Sequence, residues 1–315
     1  MIRELSRRGR LLSLMATVVL FGGVDGRTVT SLSGDGWMLD GTPVSVPHTW
    51  NAVDGCDGIG PMAETSALAT SYARRSGTYR RLLPTIESGR RVFLRFEGVS
   101  VAADVRVNGR EVGRHVGAFT AFELEITDAL RPGTSNVLEV VADNGIDAAF
   151  VRQPVSADFT VYGGLYRDVW LIETDDVSFD TSFDGGPGVW ITADPTTGSV
   201  AVETRLRNAT DSARISYEIR ERGGCCVATS DVPLLTVRNP RLWSPENPAL
   251  YTLVARLVDG ESRDEVAVDF GFRTVEIRPD GFYLNGVRRK LRGVNRHQDR
   301  ESTIIFDYFS RGGPT

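Results

Sequence analysis

Chemistry in this 315-residue chain could come from three histidines, one polar cluster near the carboxy terminus and one aspartate ahead of a glycine pair. The cluster is Arg292-Gly293-Val294-Asn295-Arg296-His297-Gln298-Asp299, and it follows Asn285-Gly286 and a short apolar strand. Its Asn295, Arg296 and His297 supply amide, guanidinium and imidazole donors, although on residue type alone the run is a polar loop after a hairpin. Asp158 brings two oxygens that can accept hydroxyl hydrogens or ligate a hard cation, whereas an aspartate beside a loop commonly caps a turn. His48, between Pro47 and Thr49, reads as a loop anchor, and His115, beside glycines, as a strand or turn residue. Gly163-Gly164 is a turn and not a phosphate cradle, since no helix or lysine follows at the required spacing. Cys56, Cys225 and Cys226 show no metal-site spacing, and the adjacent pair suits an ordinary disulfide badly.

The elements that must position these residues read as strands. In Arg91 to Val99, Val92, Leu94 and Phe96 alternate with Phe93, Arg95 and Glu97, which predicts a strand with one apolar face. Val105-Arg106-Val107 meets Asn108-Gly109, a dipeptide that tolerates positive φ at both turn positions, and predicts a hairpin returning through Glu111 and Val112. Further strands are expected at Tyr79 to Leu83, Glu123 to Ile126, Val137 to Val141 and Val169 to Ile172. With no amphipathic helix between them, they predict a jelly-roll sandwich over residues 27–174. A second set, at Gly188 to Ala193, Ser199 to Leu206, Ala213 to Glu221, Tyr251 to Val258 and Glu265 to Phe270, predicts an immunoglobulin-like sandwich over 175–274. The fold class is therefore all-β. After Arg273, Phe282 and Leu284 lead into Asn285-Gly286 and a returning strand, so a new unit starts at about 275.

Composition narrows the partners. With 36 basic against 41 acidic side chains the net charge is −5, which leaves no basic field for nucleic acid. The cysteine usage fits a reducing, cytoplasmic compartment. Residues 1–26 stand apart: Arg3, Arg7, Arg8 and Arg10 precede an apolar run from Leu11 to Phe21, the layout of an export signal, yet no small-residue cleavage pattern follows. They read either as a leader or as a start codon assigned too early. The run is too short to span a membrane, and no other candidate span exists.

The segment FYLNGVRRKLRGVNRHQDRE (282–301) resembles the junction in glycoside hydrolase family 2 where an immunoglobulin-like domain hands over to the first strand of the catalytic barrel. Upstream, SLSGDGWMLDG (31–41), VPHTWN (46–51), FLRFEGVSVAADVRVNG (93–109) and DFTVYGGLYRDVWL (158–171) follow in the order of that family's amino-terminal sugar-binding domain. NPRLWSPENPALYTL (239–253) is similar to the closing strands of its second domain. The chain thus resembles the family's β-galactosidases. The β-glucuronidase and β-mannosidase branches share much of this framework, and GVNRHQD (293–299) is nearer the galactosidase form.

The resemblance implies a galactose-binding-like jelly roll, an immunoglobulin-like sandwich and, over 275–315, the stub of a TIM barrel. It implies hydrolysis of terminal β-D-galactosides, with β-glucuronidase as the alternative within the family. Asn295, Arg296 and His297 would lie at the sugar site, where C-terminal strand ends of such barrels form the pocket. Asp158 would reach from the first domain to the sugar and, in some members, to a sodium ion. The two catalytic glutamates and the magnesium ligands of some members are implied beyond residue 315. No catalytic residue or complete metal site is therefore expected in this chain, and by itself it should have no turnover. Residues 57–73 depart from members that place a substrate-contacting asparagine there, and the tail after Glu301 departs as well, as a frameshift, premature stop or fragmentary gene model would produce. Trp50, Trp170 and Trp243 could stack on sugar faces, but their family positions imply packing. Two other readings stay open: a stand-alone carbohydrate-binding module, and a subunit complementing a separately encoded barrel. The complete enzyme would be compatible with a homo-oligomer. Without a barrel, Phe282, Leu284, Leu291, Ile304, Ile305 and Phe306 are expected to be uncovered.

Overall fold

The computed structural model describes residues 26–52, 73–145 and 161–293. The first ten strands are β1 (Thr28–Ser31), β2 (Gly34–Leu39), β3 (Thr42–Val46), β4 (Ser76–Leu83), β5 (Arg91–Phe96), β6 (Ala102–Val107), β7 (Arg110–Val116), β8 (Phe122–Glu125), β9 (Asn136–Asp143) and β10 (Val169–Thr174). They form two antiparallel sheets, of order β1-β10-β5-β8 and β3-β2-β4-β9-β6-β7. Between the sheets lie Trp37, Tyr79, Leu94, Phe96, Val105, Leu138 and Leu171, each at most 1% exposed. Period-two alternation delivers these residues to one face of each strand, so the sandwich follows directly from the pattern. Both dipeptide turns have the required backbone: Asp40-Gly41 joins β2 to β3 with φ of 48° and 88°, and Asn108-Gly109 joins β6 to β7 with 53° and 80°.

Nine further strands make the second sandwich: β11 (Ser178–Phe179), β12 (Val189–Ala193), β13 (Ser199–Thr204), β14 (Leu206–Arg207), β15 (Arg214–Glu221), β16 (Cys226–Ser230), β17 (Leu234–Thr236), β18 (Tyr251–Asp259) and β19 (Ser262–Phe270). Sheets β12-β13-β17 and β16-β15-β18-β19 enclose a separate core that includes Phe179, Tyr217, Ile219, Leu253, Val268 and Phe272. The all-β class is thus observed, with only short 3-10 turns, at Thr127–Ala129 and Phe183–Gly185, as helical structure among the described residues. No helix among those residues is long and apolar enough to cross a membrane.

The described part of the carboxy-terminal unit shows no barrel start. Strands β20 (Val275–Arg278), β21 (Gly281–Leu284) and β22 (Val287–Arg289) form one small antiparallel sheet, with the Asn285-Gly286 turn as predicted. No strand-helix unit of a barrel occurs among the described residues, and 294–315, with Ile304, Ile305 and Phe306, lie outside them. Of the residues expected to be uncovered, Leu291 is 73% exposed but Leu284 is only 4% exposed. Asn285 explains the difference: its amide donates to the Trp243 carbonyl (3.0 Å) and its Oδ1 accepts from the Thr274 amide (3.0 Å), pinning the hairpin back onto the second sandwich.

A polar seam joins the sandwiches. The Arg27 guanidinium makes two 2.8 Å hydrogen bonds to Asp264, which also accepts from the Phe179 amide at 2.7 Å. Burial opposes the charge on Arg27, but the hydrogen bonds and charge of Asp264 outweigh it and hold the guanidinium above its usual range. Nearby, the Thr181 hydroxyl lies 2.7 and 2.8 Å from the two Glu123 oxygens, and Arg207 covers the Phe93 ring at 4.1 Å. Burial pushes the Glu123 carboxyl up, against the Thr181 bond and the charges of Arg27, Arg95 and Arg207. This seam corrects the one-faced reading of β5. Phe93 and Arg95 are 2% and 6% exposed because the second sandwich covers the face that alternation alone assigns to solvent.

Candidate functional site

The four candidate side chains, Asp158, Asn295, Arg296 and His297, all lie outside the described residues. What the structure does define is the frame from which the Asp158 segment springs. The described chain stops at Ala52 and resumes at Ala73, and stops at Gly145 and resumes at Val161. All four chain ends converge on two buried amides, Asn51 and Asn144, which are 3% and 0% exposed.

The convergence is a set of hydrogen bonds from side chain to main chain. Asn144 Nδ2 donates to the carbonyls of Val161 (2.8 Å) and Ala73 (3.1 Å), and its Oδ1 accepts from the Arg75 amide (2.9 Å). Asn51 Nδ2 donates to Ala73 O at 2.9 Å, while its Oδ1 accepts from the Gly163 amide at 2.8 Å and from Asn144 Nδ2 at 3.3 Å. An asparagine suits this position because it carries donors and an acceptor on one short planar group, so one side chain can satisfy several buried main-chain atoms. Asp158 precedes Val161 by three residues in the sequence.

Aromatic packing fixes the same corner. Trp50 stacks on Tyr79 at 6.4 Å between centroids and lies under the Arg75 guanidinium at 4.7 Å. Gly163 is compelled to be glycine: a Cβ there would sit 2.2 Å from the Trp50 ring and 2.7 Å from the Asn144 side chain. Gly164, at φ +105°, passes close to the Tyr79 hydroxyl. The expected turn is not formed: Gly163 lies in irregular chain and Gly164 in an isolated antiparallel bridge with Ser100, so the two glycines serve close approach to an aromatic wall. Trp50 Nε1 is buried with no hydrogen-bond partner among the described residues.

His48 anchors its loop, and His115 lies in strand β7. His48 Nδ1 lies 2.7 Å from the Tyr79 hydroxyl, and its amide donates to Leu165 O at 2.7 Å. Burial, aided by the Arg75 charge, pushes the imidazole below its usual range, so the ring is neutral near pH 7. Burial likewise pushes the Tyr79 phenol well above its usual range. His115 stacks on Phe122 at 4.1 Å. Trp50, Trp170 and Trp243 are half-buried, and Trp243 packs beneath Arg273 at 4.8 Å. No group of three or more His, Cys, Asp or Glu side chains able to hold a metal occurs among the described residues.

Sequence reasoning missed the Asn51–Asn144 pair. Asn51 ends the VPHTWN motif and Asn144-Gly145 reads as a turn, so nothing local marks either amide as buried; only their contact across the fold does.

Two antiparallel sandwiches in series, the first with one buried amide pair tying Ala73, Val161 and Gly163 together, define a tandem β-sandwich protein. The model of the glycosyl hydrolase family 2 galactose-binding-like domain matches residues 61–161, and that of glycosyl hydrolases family 2 matches 188–273. A β-glucuronidase of Bacteroides fragilis is 34% identical over 279 residues, 82% of this chain and 38% of that protein. A β-galactosidase of Thermoanaerobacter pseudethanolicus is 33% identical over 227 residues, 67% of this chain and 30% of that protein. The crystal structure of an FMN-binding β-glucuronidase from Facaelibacterium prausnitzii L2-6 superposes with a TM-score of 0.75 and 36% identity, over 86% of this chain and 43% of that one. The chain belongs to glycosyl hydrolase family 2, and it spans less than half the length of these relatives.

Proposed function

We propose that this chain supplies the two sugar-side β-domains of a retaining glycoside hydrolase acting on terminal β-linked sugars, with β-glucuronides as the first substrate class. The supporting observation is likeness along most of the chain to proteins named β-glucuronidase, at 34–36% identity over 82–86% of its length. β-Galactosides are the second reading, favoured by the relative of that name at 33% identity. The sequence resemblance ranks the two the other way, through Gly293 to Asp299, most of which lie outside the described residues.

In this reading the first sandwich presents Asp158 to the sugar, where its carboxylate accepts hydroxyl hydrogens, and the Asn51–Asn144 pair holds the segment that carries it. Asn295, Arg296 and His297, which follow the β20–β22 strands in the sequence, add donors. Hydrolysis with retention takes two carboxyl groups about 5 Å apart, one as acid and one as nucleophile. Both come from polypeptide outside residues 1–315. Magnesium and sodium belong, on this reading, to the assembled enzyme. No step above depends on either.

The purified 315-residue chain is expected to leave both a chromogenic β-glucuronide and a chromogenic β-galactoside intact. Turnover abolished by a single carboxylate substitution within the chain would place the catalytic pair here and overturn the reading.

A further inference from the structure

The turn between β15 and β16 carries a feature that sugar hydrolysis does not use. Cys225 and Cys226 are adjacent, unbonded and both exposed. They follow Gly223 and Gly224, whose φ values of 116° and 90° place them in the glycine-favoured region with open space on all sides. β16 is an edge strand, and its register against β15 shifts between Ile219 and Arg220, directly across from Cys226. The pair therefore sits on an uncovered rim, next to a hydrogen-bonded turn and an irregularity in the edge-strand pairing, with both thiols open to solvent.

Geometry restricts what that ligand can be. The two residues are joined by a trans peptide, so their Cα atoms are about 3.8 Å apart, below the roughly 4.4–6.8 Å that unstrained disulfides span. A direct sulfur–sulfur bond is therefore disfavoured, whereas a bridging atom between the sulfurs lengthens the link and relieves that mismatch. No third Cys, His, Asp or Glu joins them in a group able to hold a metal among the described residues, so the tetrahedral set that zinc requires is not offered. Two sulfurs with open solvent beyond suit a soft centre that takes two thiolates and brings its own third substituent.

We propose that Cys225 and Cys226 form a two-thiol capture site for a trivalent arsenical carrying one organic group. With an aryl arsenoxide, two arsenic–sulfur bonds form and the arsenic–oxygen bond breaks. The oxygen leaves with the two thiol protons as one water, and arsenic stays trivalent. The second bond closes within one molecule, so its high effective concentration makes retention on the order of 10²-fold longer than at one thiol.

The test uses the full chain, reduced and treated with one equivalent of phenylarsine oxide, with intact mass followed during a chase in excess monothiol. Expected is one aryl-arsenic adduct per chain that resists the monothiol and is stripped by a dithiol. Cys225→Ser and Cys226→Ser should each release it about 10²-fold faster, while Cys56→Ser releases it at the wild-type rate. Both tested side chains are exposed, so serine is tolerated, and circular dichroism of each variant checks this. The proposal is overturned if the wild-type chain releases the adduct as fast as the single-serine variants, or if either variant retains it as wild type does.

Discussion

Replacing Asn144 by alanine isolates the device that holds the Asp158 segment. Besides the longer 3.3 Å contact to Asn51 Oδ1, the substitution removes hydrogen bonds to the Val161 and Ala73 carbonyls and to the Arg75 amide, at 2.8, 3.1 and 2.9 Å, from a side chain that is 0% exposed. A hydrogen bond contributes about 1 kcal/mol net, and a buried group left without its partner costs about 1–3 kcal/mol, so three lost bonds cost about 3 kcal/mol or somewhat more. Because the bonds tie loop roots and not core strands, the loss falls on local opening. At about 1.4 kcal/mol per decade, the open population at this corner should rise on the order of 10²-fold. Native-state hydrogen exchange reads this directly at the Arg75 and Gly163 amides, with the Leu253 amide in the other sandwich as reference. The expected result is fast exchange at the first two and unchanged protection at the third. Unchanged exchange at Arg75 and Gly163 would refute the claim that the amide pair holds the roots, and equal acceleration at all three would refute its being local.

Three further predictions follow from other parts of the fold. Asp264→Ala leaves Arg27 buried without its carboxylate and should cost about 3–5 kcal/mol in chemical denaturation, whereas Arg27→Met with Asp264→Leu should recover most of that loss. Gly163→Ala drives a methyl into Trp50 and should cost about 1–3 kcal/mol, with a change in tryptophan fluorescence. Glu218, held by hydrogen bonds from Arg220 and Arg256, has its carboxyl lowered from 4.5 to about 2. A depressed acid contributes stability above its unfolded value and loses it as the folded group takes up its proton. The advantage of wild type over Glu218→Gln, measured by acid unfolding, should therefore be full above about pH 5, decline as the pH falls and be gone about one unit below pH 2. An advantage that stays undiminished from pH 5 down to about pH 2 would count against the assignment.

The parts of this molecule legible in its sequence are those with a local cause. Alternation placed the strands around Leu94, Leu138, Ile219 and Leu253, and the Asn108-Gly109 and Asn285-Gly286 turns formed with positive φ as expected. Asp40-Gly41, between Trp37-Met38-Leu39 and Pro43-Val44, carries the same signal for the β2–β3 hairpin, which the expected strands do not include. β16 escaped notice as a polar edge strand. What alternation cannot report is burial decided at long range. Arg27 meets Asp264 from 237 residues away, and Glu123 meets Thr181 across the seam. The Asn51–Asn144 pair is of the same kind: two ordinary turn asparagines become the hub of the loops only when the sheets bring them to 3.3 Å.

The central claim, that this chain is the sugar-facing part of a family 2 hydrolase, is tested most directly in a hybrid. Residues 26–301 replace the matching region of the Bacteroides fragilis β-glucuronidase, and hydrolysis of a β-glucuronide and a β-galactoside is measured with and without Asp158→Ala. The account predicts that the hybrid hydrolyses the β-glucuronide in preference and that Asp158→Ala raises KM or abolishes turnover while leaving the fold intact. A folded hybrid whose hydrolysis is indifferent to Asp158 would contradict it.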